Sequence, residues 1–143
     1  METPLNFRLC EAAWNGDPKQ VKELAILGAD VDCFDGKMGD TPLHLAIEQC
    51  DREVVQVLLE CGADPNKRTR SGFWTPLIHA VESVSDAAIQ RNRSPDNSII
   101  SLLLEHSAEV NQRSTRGISA LDYATKYGNE GAIALLQGAG ASA

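Results

Sequence analysis

Three histidines and four cysteines are the side chains with the most chemistry to offer in this 143-residue sequence. His44 invites a catalytic reading, while His79, one position later in the matching segment, points elsewhere on its helix. Neither has the sequence company that such a role needs. There is no GxSxG, no glycine-rich phosphate loop and no HExxH. Cys10, Cys33, Cys50 and Cys61 form no CxxC pair and no zinc-type spacing with histidine. The stretch Met1 to Cys10 lacks the basic start and apolar middle of a signal peptide. The four thiols are therefore expected to be reduced and to pack as small hydrophobes. No catalytic residue, metal or cofactor is expected.

Side chains suited to binding lie elsewhere, in three polar linking segments. The first, 33–39, carries Phe34, Asp35, Lys37 and Met38. The second, 67–74, carries Arg68, Arg70, Phe73 and Trp74, and the third, 112–117, carries Arg113 and Arg116. Arginine and aromatic side chains supply a large share of binding energy at protein interfaces. A loop tip has little core to fill, so an aromatic there either meets a partner or folds back. Trp74 could plug the core beneath Pro76 and Leu77, and Phe34 and Met38 could pack on the next segment.

The elements that hold these segments repeat along the chain. Thr41-Pro42-Leu43-His44-Leu45-Ala46 recurs as Thr75-Pro76-Leu77-Ile78-His79-Ala80, and more weakly as Ser119-Ala120-Leu121-Asp122-Tyr123-Ala124. Val54 to Asp64 recurs as Ile99 to Glu109, with further copies at Val21 to Asp30 and Ala132 to Ala141. Thr41 and Thr75 suit an N-cap, and Pro42 and Pro76 then fall at the first helical position, which needs no N–H. Leu43, Ala46 and Ile47 line one face of a short helix. Asp51 can cap the next helix, whose buried stripe is Val54, Val55, Leu58 and Leu59. Gly62 falls where a helix ends in a left-handed residue, and Gly28 and Gly140 occupy the same place in their copies. Ala46, Ala80 and Ala124 sit at matching points, where a small side chain lets helices approach. One such pair of short helices cannot bury enough to stand alone; stacked pairs can.

These segments and their spacing resemble the ankyrin repeat, over about Leu5 to Ala141. The resemblance implies an all-α solenoid of stacked helix-turn-helix pairs, with hairpin-like fingers between them. We read one domain, 1–143, with repeats near 5–36, 37–70, 71–114 and 115–143, the first and last acting as caps. It also implies that His44 serves hydrogen bonds between repeats and that a partner lies across the finger tips and inner helix faces. Glu48 and Glu82 would then face that groove, with Trp14 at the corresponding place in repeat one. An exposed Trp14 would be a binding hot spot; a buried one would be cap core.

The intervals show where repeat three departs. Thr41 to Thr75 spans 34 residues and Thr75 to Ser119 spans 44. Thr41 to Val54 is 13 residues but Thr75 to Ile99 is 24, so the excess lies between the two helices, near 85–95. That segment is expected to extend the first helix before a loop closed by Pro95, and it places Arg91 and Arg93 as further binding candidates. Ser107 replaces the glycine expected at that helix end.

Composition fits this reading and narrows the partners. Apolar residues make up 43% of the sequence and aromatics 5%, so the core must be aliphatic. No apolar run reaches the length of a membrane span. The net charge is −7, with 13 acids and 5 bases in 1–64 but 7 acids and 8 bases in 65–143. Acidity of this kind argues against nucleic acid and favours a partner protein with a basic surface. The expected function is a non-enzymatic, cytosolic, monomeric protein-binding module. As a stand-alone array it would act as an inhibitor or blocking partner; an adaptor for a peptide or tail is the alternative. Similarity to short ankyrin chains also suggests an immunity-type protein that neutralises a toxin.

Overall fold

The structure is a computed structural model that describes residues 4–142. Among these residues the chain forms eight helices: α1 (Pro4–Asn15), α2 (Pro18–Ile26), α3 (Pro42–Glu48), α4 (Arg52–Glu60), α5 (Pro76–Gln90), α6 (Ser98–Glu105), α7 (Ala120–Tyr127) and α8 (Glu130–Gly138). They pair in chain order, and the pairs stack in two rows. The inner row is α1, α3, α5 and α7; the outer row is α2, α4, α6 and α8. The architecture is an all-helical solenoid. None of these helices is long and apolar enough to cross a membrane.

Capping chemistry sets where the inner helices begin. The hydroxyls of Thr41, Thr75 and Ser119 accept from the backbone N–H groups of His44, Ile78 and Asp122, at 3.1 to 3.2 Å. Pro42 and Pro76 follow at the first helical position. Ser119 goes further, because the Asp122 carboxylate returns to the Ser119 N–H and completes a capping box. Outer helices start on Asp17, Asp51 and Asn129, each accepting from the backbone N–H three residues on.

The buried stripes meet between rows and between pairs. Val54, Val55 and Leu58 are fully enclosed, as are Leu43, Ala46 and Ile47 on the facing helix. Ala46, Ala80 and Ala124 are all buried at 0% exposure, so the inner row packs with almost no side chain between backbones at those points. Each enclosed leucine contributes about 2 kcal/mol of hydrophobic stabilisation. Cys10 and Cys33 join this core with their sulfurs 3.7 Å apart.

Two left-handed residues reverse the chain in each repeat. Gly28, Gly62 and Gly140 end the outer helices at φ near +100°. Ser107 takes that conformation in repeat three, at φ 70°. Between inner and outer helix the residue is Gly16, Cys50, Asn92 or Gly128.

The excess residues of repeat three enter at this second turn. They lengthen α5 to 15 residues against 7 in α3, so α5 projects about two turns, roughly 12 Å, beyond its neighbour. The loop then runs from Arg91 to Asn97. Because α3 and α5 start at the fingers, the insertion emerges on the edge of the stack opposite them.

A ladder of Asn and Asp side chains ties each repeat to the next. Asn6 accepts from the backbone N–H of Asp30, Asp32 from Asp64, Asn66 from Glu109 and Asn111 from Ser142, at 2.7 to 3.0 Å. The backbone donor is the same point of each repeat, two residues past the left-handed one.

Candidate functional site

The fingers and the inner row form one face. Finger 1 is shaped by Asp35, whose Oδ1 accepts from the backbone N–H groups of Met38, Gly39 and Asp40 at 2.8 to 3.1 Å. That oxygen is therefore fully used in holding the finger. Asp35 was a binding candidate on sequence; its position makes it the organiser of the tip. Lys37 and Met38 are thrust outward, and Met38 is 79% exposed.

Arg68 and Arg113 receive a similar reassignment. The Nη1 of Arg68 donates to the Gly72 carbonyl at 2.9 Å, and that of Arg113 to the Gly117 carbonyl at 2.7 Å. Each closes its own finger, and Arg113 also pairs with Asp122 at 3.3 Å. Each guanidinium thus braces its own loop through Nη1.

Neighbouring fingers stack through cation–π contacts. The Lys67 ammonium and the Arg70 guanidinium lie 4.8 and 5.0 Å from the Phe34 ring centre. One finger on, Arg116 lies 5.5 Å from Phe73. Phe34 thus packs on the second finger. Backbones also touch: the Arg70 N–H donates to the Gly39 carbonyl at 2.8 Å. A Cβ on Gly39, which sits at φ 76°, would meet the Arg70 Cβ at 2.6 Å.

Trp74 lies at the base of finger 2, half-buried between two rings. His79 is 5.2 Å away and Tyr123 5.8 Å, with Phe73 edge-on at 4.8 Å. It folds back to pack against the core with one side left open and does not stand at the tip. Tyr123 and Tyr127 continue that aromatic strip, with Lys126 5.8 Å from each ring. The two tyrosines were not singled out from sequence. Their signal was present, since Tyr123 takes the place of Leu45 and His79 in the repeated segment. Burial, first of all, raises both phenol pKa values above the ordinary range.

Further along the inner row, Trp14 is 46% exposed at the end of α1. Glu48 is exposed and Glu82 half-buried, and both line the same depression with Gln49 and Asp86. The Glu82 carboxyl is raised, chiefly by burial and then by Asp86. Arg91 and Arg93 are exposed beside Cys50, Asp96 and Ile99, away from the finger tips, and Arg91 also lines the depression that holds Glu48, Glu82 and Asp86.

His44 and His79 are enclosed. Their Nδ1 atoms are 3.0 Å apart and the rings stack at 5.2 Å between centres. The Nε2 of His44 lies 3.0 Å from the Lys67 carbonyl, on the following finger. Burial first of all lowers the His44 pKa to about 4. Burial and then the His44 ring lower that of His79 to about 3. Both rings are thus neutral near pH 7, fixed in place, and closed to substrate. Their work is to tie α3, α5 and finger 2 together.

A family model for ankyrin repeats (3 copies) matches residues 9–91. A BTB/POZ domain and ankyrin repeat-containing protein of Oryza sativa subsp. japonica is 35% identical over 104 residues, which is 72% of this chain and 18% of that protein. A regulatory protein of Arabidopsis thaliana is 43% identical over 81 residues, 56% of this chain and 14% of its own length. The 2-5A-dependent ribonuclease of Mus musculus is 39% identical over 72 residues, 50% of this chain and 10% of that enzyme. The chain therefore spans less than a fifth of the length of these relatives. The capped Thr-Pro helices, the stacked pairs, the cross-repeat histidine bond and the matching family model agree: the chain belongs to the ankyrin-repeat family, whose repeats are protein-interaction modules.

Proposed function

We propose that the chain is a non-catalytic protein-binding module that docks by its inner helices and fingers and occludes a basic surface of its partner. The observation that carries this reading is the row of large side chains along that face, with Trp14 and Met38 exposed at one end and Trp74, Tyr123 and Tyr127 half-buried at the other. A stack rigid enough to hold these groups in place loses little freedom on binding. The surplus of carboxylates in residues 1–64 supports a basic partner, which it would steer toward the face at low salt.

Partner capture by the wild-type chain should drop sharply in a Trp14→Ala, Tyr123→Ala double variant whose far-UV circular dichroism is unchanged. Association with the captured protein should also slow as salt rises. Undiminished capture by the double variant would move the binding surface to the outer row or the insertion. A second reading, an adaptor that holds a peptide or tail in the groove, is favoured by the length of the relatives, where the matched segment is a small part of a larger protein.

A further inference from the structure

The inner face is not uniform along the stack. Its N-terminal end is a groove of about 640 Å³ between α1, α3 and the tip of finger 1. Its apolar lining is left open to solvent by the fold: Phe7 is 52% exposed, alongside Trp14 and Met38. Around these stand the carboxylates of Glu11, Asp40 and Glu48, against one ammonium among the lining residues, that of Lys37. The other end of the face differs, because Lys126 already sits beside the tyrosine rings there.

We infer that this groove receives a segment of a partner protein in which a lysine or arginine stands beside a bulky aliphatic or aromatic residue. The bulky side chain covers Phe7 and Met38, and the basic one lays its stem along Trp14 with its head among Glu11, Asp40 and Glu48. This rests on the reading of the chain as a protein-binding module and gives that module its chemistry.

Charge complementarity selects this occupant. Asp40 is half-buried, and its carboxyl pKa is pushed up to about 6, first by burial and then by Asp35 and Glu48. Like charges gathered beside an apolar surface repel one another, and an incoming cation removes that cost. An uncharged apolar segment would bury the carboxylates without pairing them, which is unfavourable. An acidic segment or a phosphate would add to the repulsion. Trp14 completes the match, because a guanidinium or ammonium over an indole face gains cation–π attraction in addition to its pairing. The long stems of lysine and arginine cover apolar surface while their heads stay with the carboxylates.

A random dodecapeptide library selected against the full chain, with enriched peptides measured by fluorescence polarisation, tests this. Enriched sequences should set arginine or lysine next to leucine, isoleucine, methionine or an aromatic residue. Trp14→Ala should weaken them about tenfold, as expected for an interface anchor. Asp40→Asn with Glu48→Gln should weaken them severalfold and flatten the salt dependence, while Glu105→Gln, exposed on the outer row, should leave them unchanged. Met38→Ala, at a side chain that barely touches the fold, should weaken binding with no effect on stability. Enrichment of acidic or uncharged peptides overturns the inference. So does binding that follows Tyr123→Ala and ignores Trp14→Ala, although the protein-binding reading would then survive. Self-association abolished by Trp14→Ala, seen by sedimentation, would make the occupant a second copy and also overturn it. Failure to enrich any peptide against the folded chain overturns it too, and the capture experiment above then decides the broader reading.

Discussion

His44 keeps its proton on Nε2 when neutral, because the Lys67 carbonyl can only accept. Its Nδ1 is then an acceptor, and His79 donates from its own Nδ1 across the 3.0 Å gap. Protonating both rings would set two donors against each other, so the doubly charged pair is disfavoured. In the unfolded chain both rings take up a proton near the ordinary pH of 6.5, whereas the folded rings resist until about pH 4 and about pH 3. Acid therefore favours unfolding from pH 6.5 downward. Asp40 opposes this, since its raised carboxyl binds a proton in the folded state first. Two rings outweigh one half-buried carboxyl. The urea midpoint is expected to fall between pH 7 and pH 4.5, and His79→Leu, which restores the residue type found at Leu45, should cut that dependence to less than half, because Asp40 then offsets much of the one ring that remains. Ser107 offers a second test at this scale. It is exposed and adopts φ 70° where the equivalent residues are glycines. Ser107→Gly should stabilise the chain by about 1 kcal/mol in denaturant titration, because a Cβ strains the left-handed conformation.

At the scale of elements, the lengthened α5 brings a polar cluster that the other repeats lack. Asn129, the N-cap of α8, is buried and donates from Nδ2 to Ser85 Oγ at 3.1 Å and to Asn97 Oδ1 at 2.9 Å. Asn97 returns a bond to Asn129 Oδ1 at 3.0 Å, and the same oxygen caps Ala132. The cluster thus ties the insertion-bearing repeat to the final pair. Gly131 leaves room for it, since a Cβ there would meet the Asn97 amide at 2.6 Å. Asn129→Ala removes a cap and strands Ser85 and Asn97 together. The expected cost is about 2 to 3 kcal/mol of stability. Faster amide exchange confined at first to α8 would show that the loss acts through this helix.

Over the whole molecule, the substantial helix contacts among the described residues lie within a pair or between neighbouring pairs, so stability is a sum of local terms and interfaces. The middle of the stack has two covered sides and the ends have one. α5 buries ten residues, while α8 buries Ala132 and Leu136 and α2 buries Val21 and Leu24. Native-state hydrogen exchange should therefore show the strongest protection in α3, α4 and α5, with α8 and α2 opening first. Uniform protection across all eight helices would indicate coupling well beyond nearest neighbours. The charge imbalance is also a property of the whole array: it places the carboxylate surplus at the end whose apolar groove is least covered.

Sequence alone determined the helix pairs. Thr-Pro caps, aliphatic stripes at helical spacing and left-handed glycines are local signals, and each acts within a few residues of where it is written. The extra length between Thr75 and Ile99 likewise announced a longer first helix. What the tertiary structure decided is which side chains remain available. Arg68, Arg113 and Asp35 read as binding residues, and the structure adds that each also braces its own finger, because hydrogen-bond partners close only when the loop folds. Trp14 was open in the sequence to either exposure or burial; its exposure follows from lying at the end of a stack with no earlier inner helix against it among the described residues. The pairing of His44 with His79 across 35 positions, and of Asn129 with Ser85 across 44, depends on how repeats of unequal length align in space, and no local pattern encodes that distance.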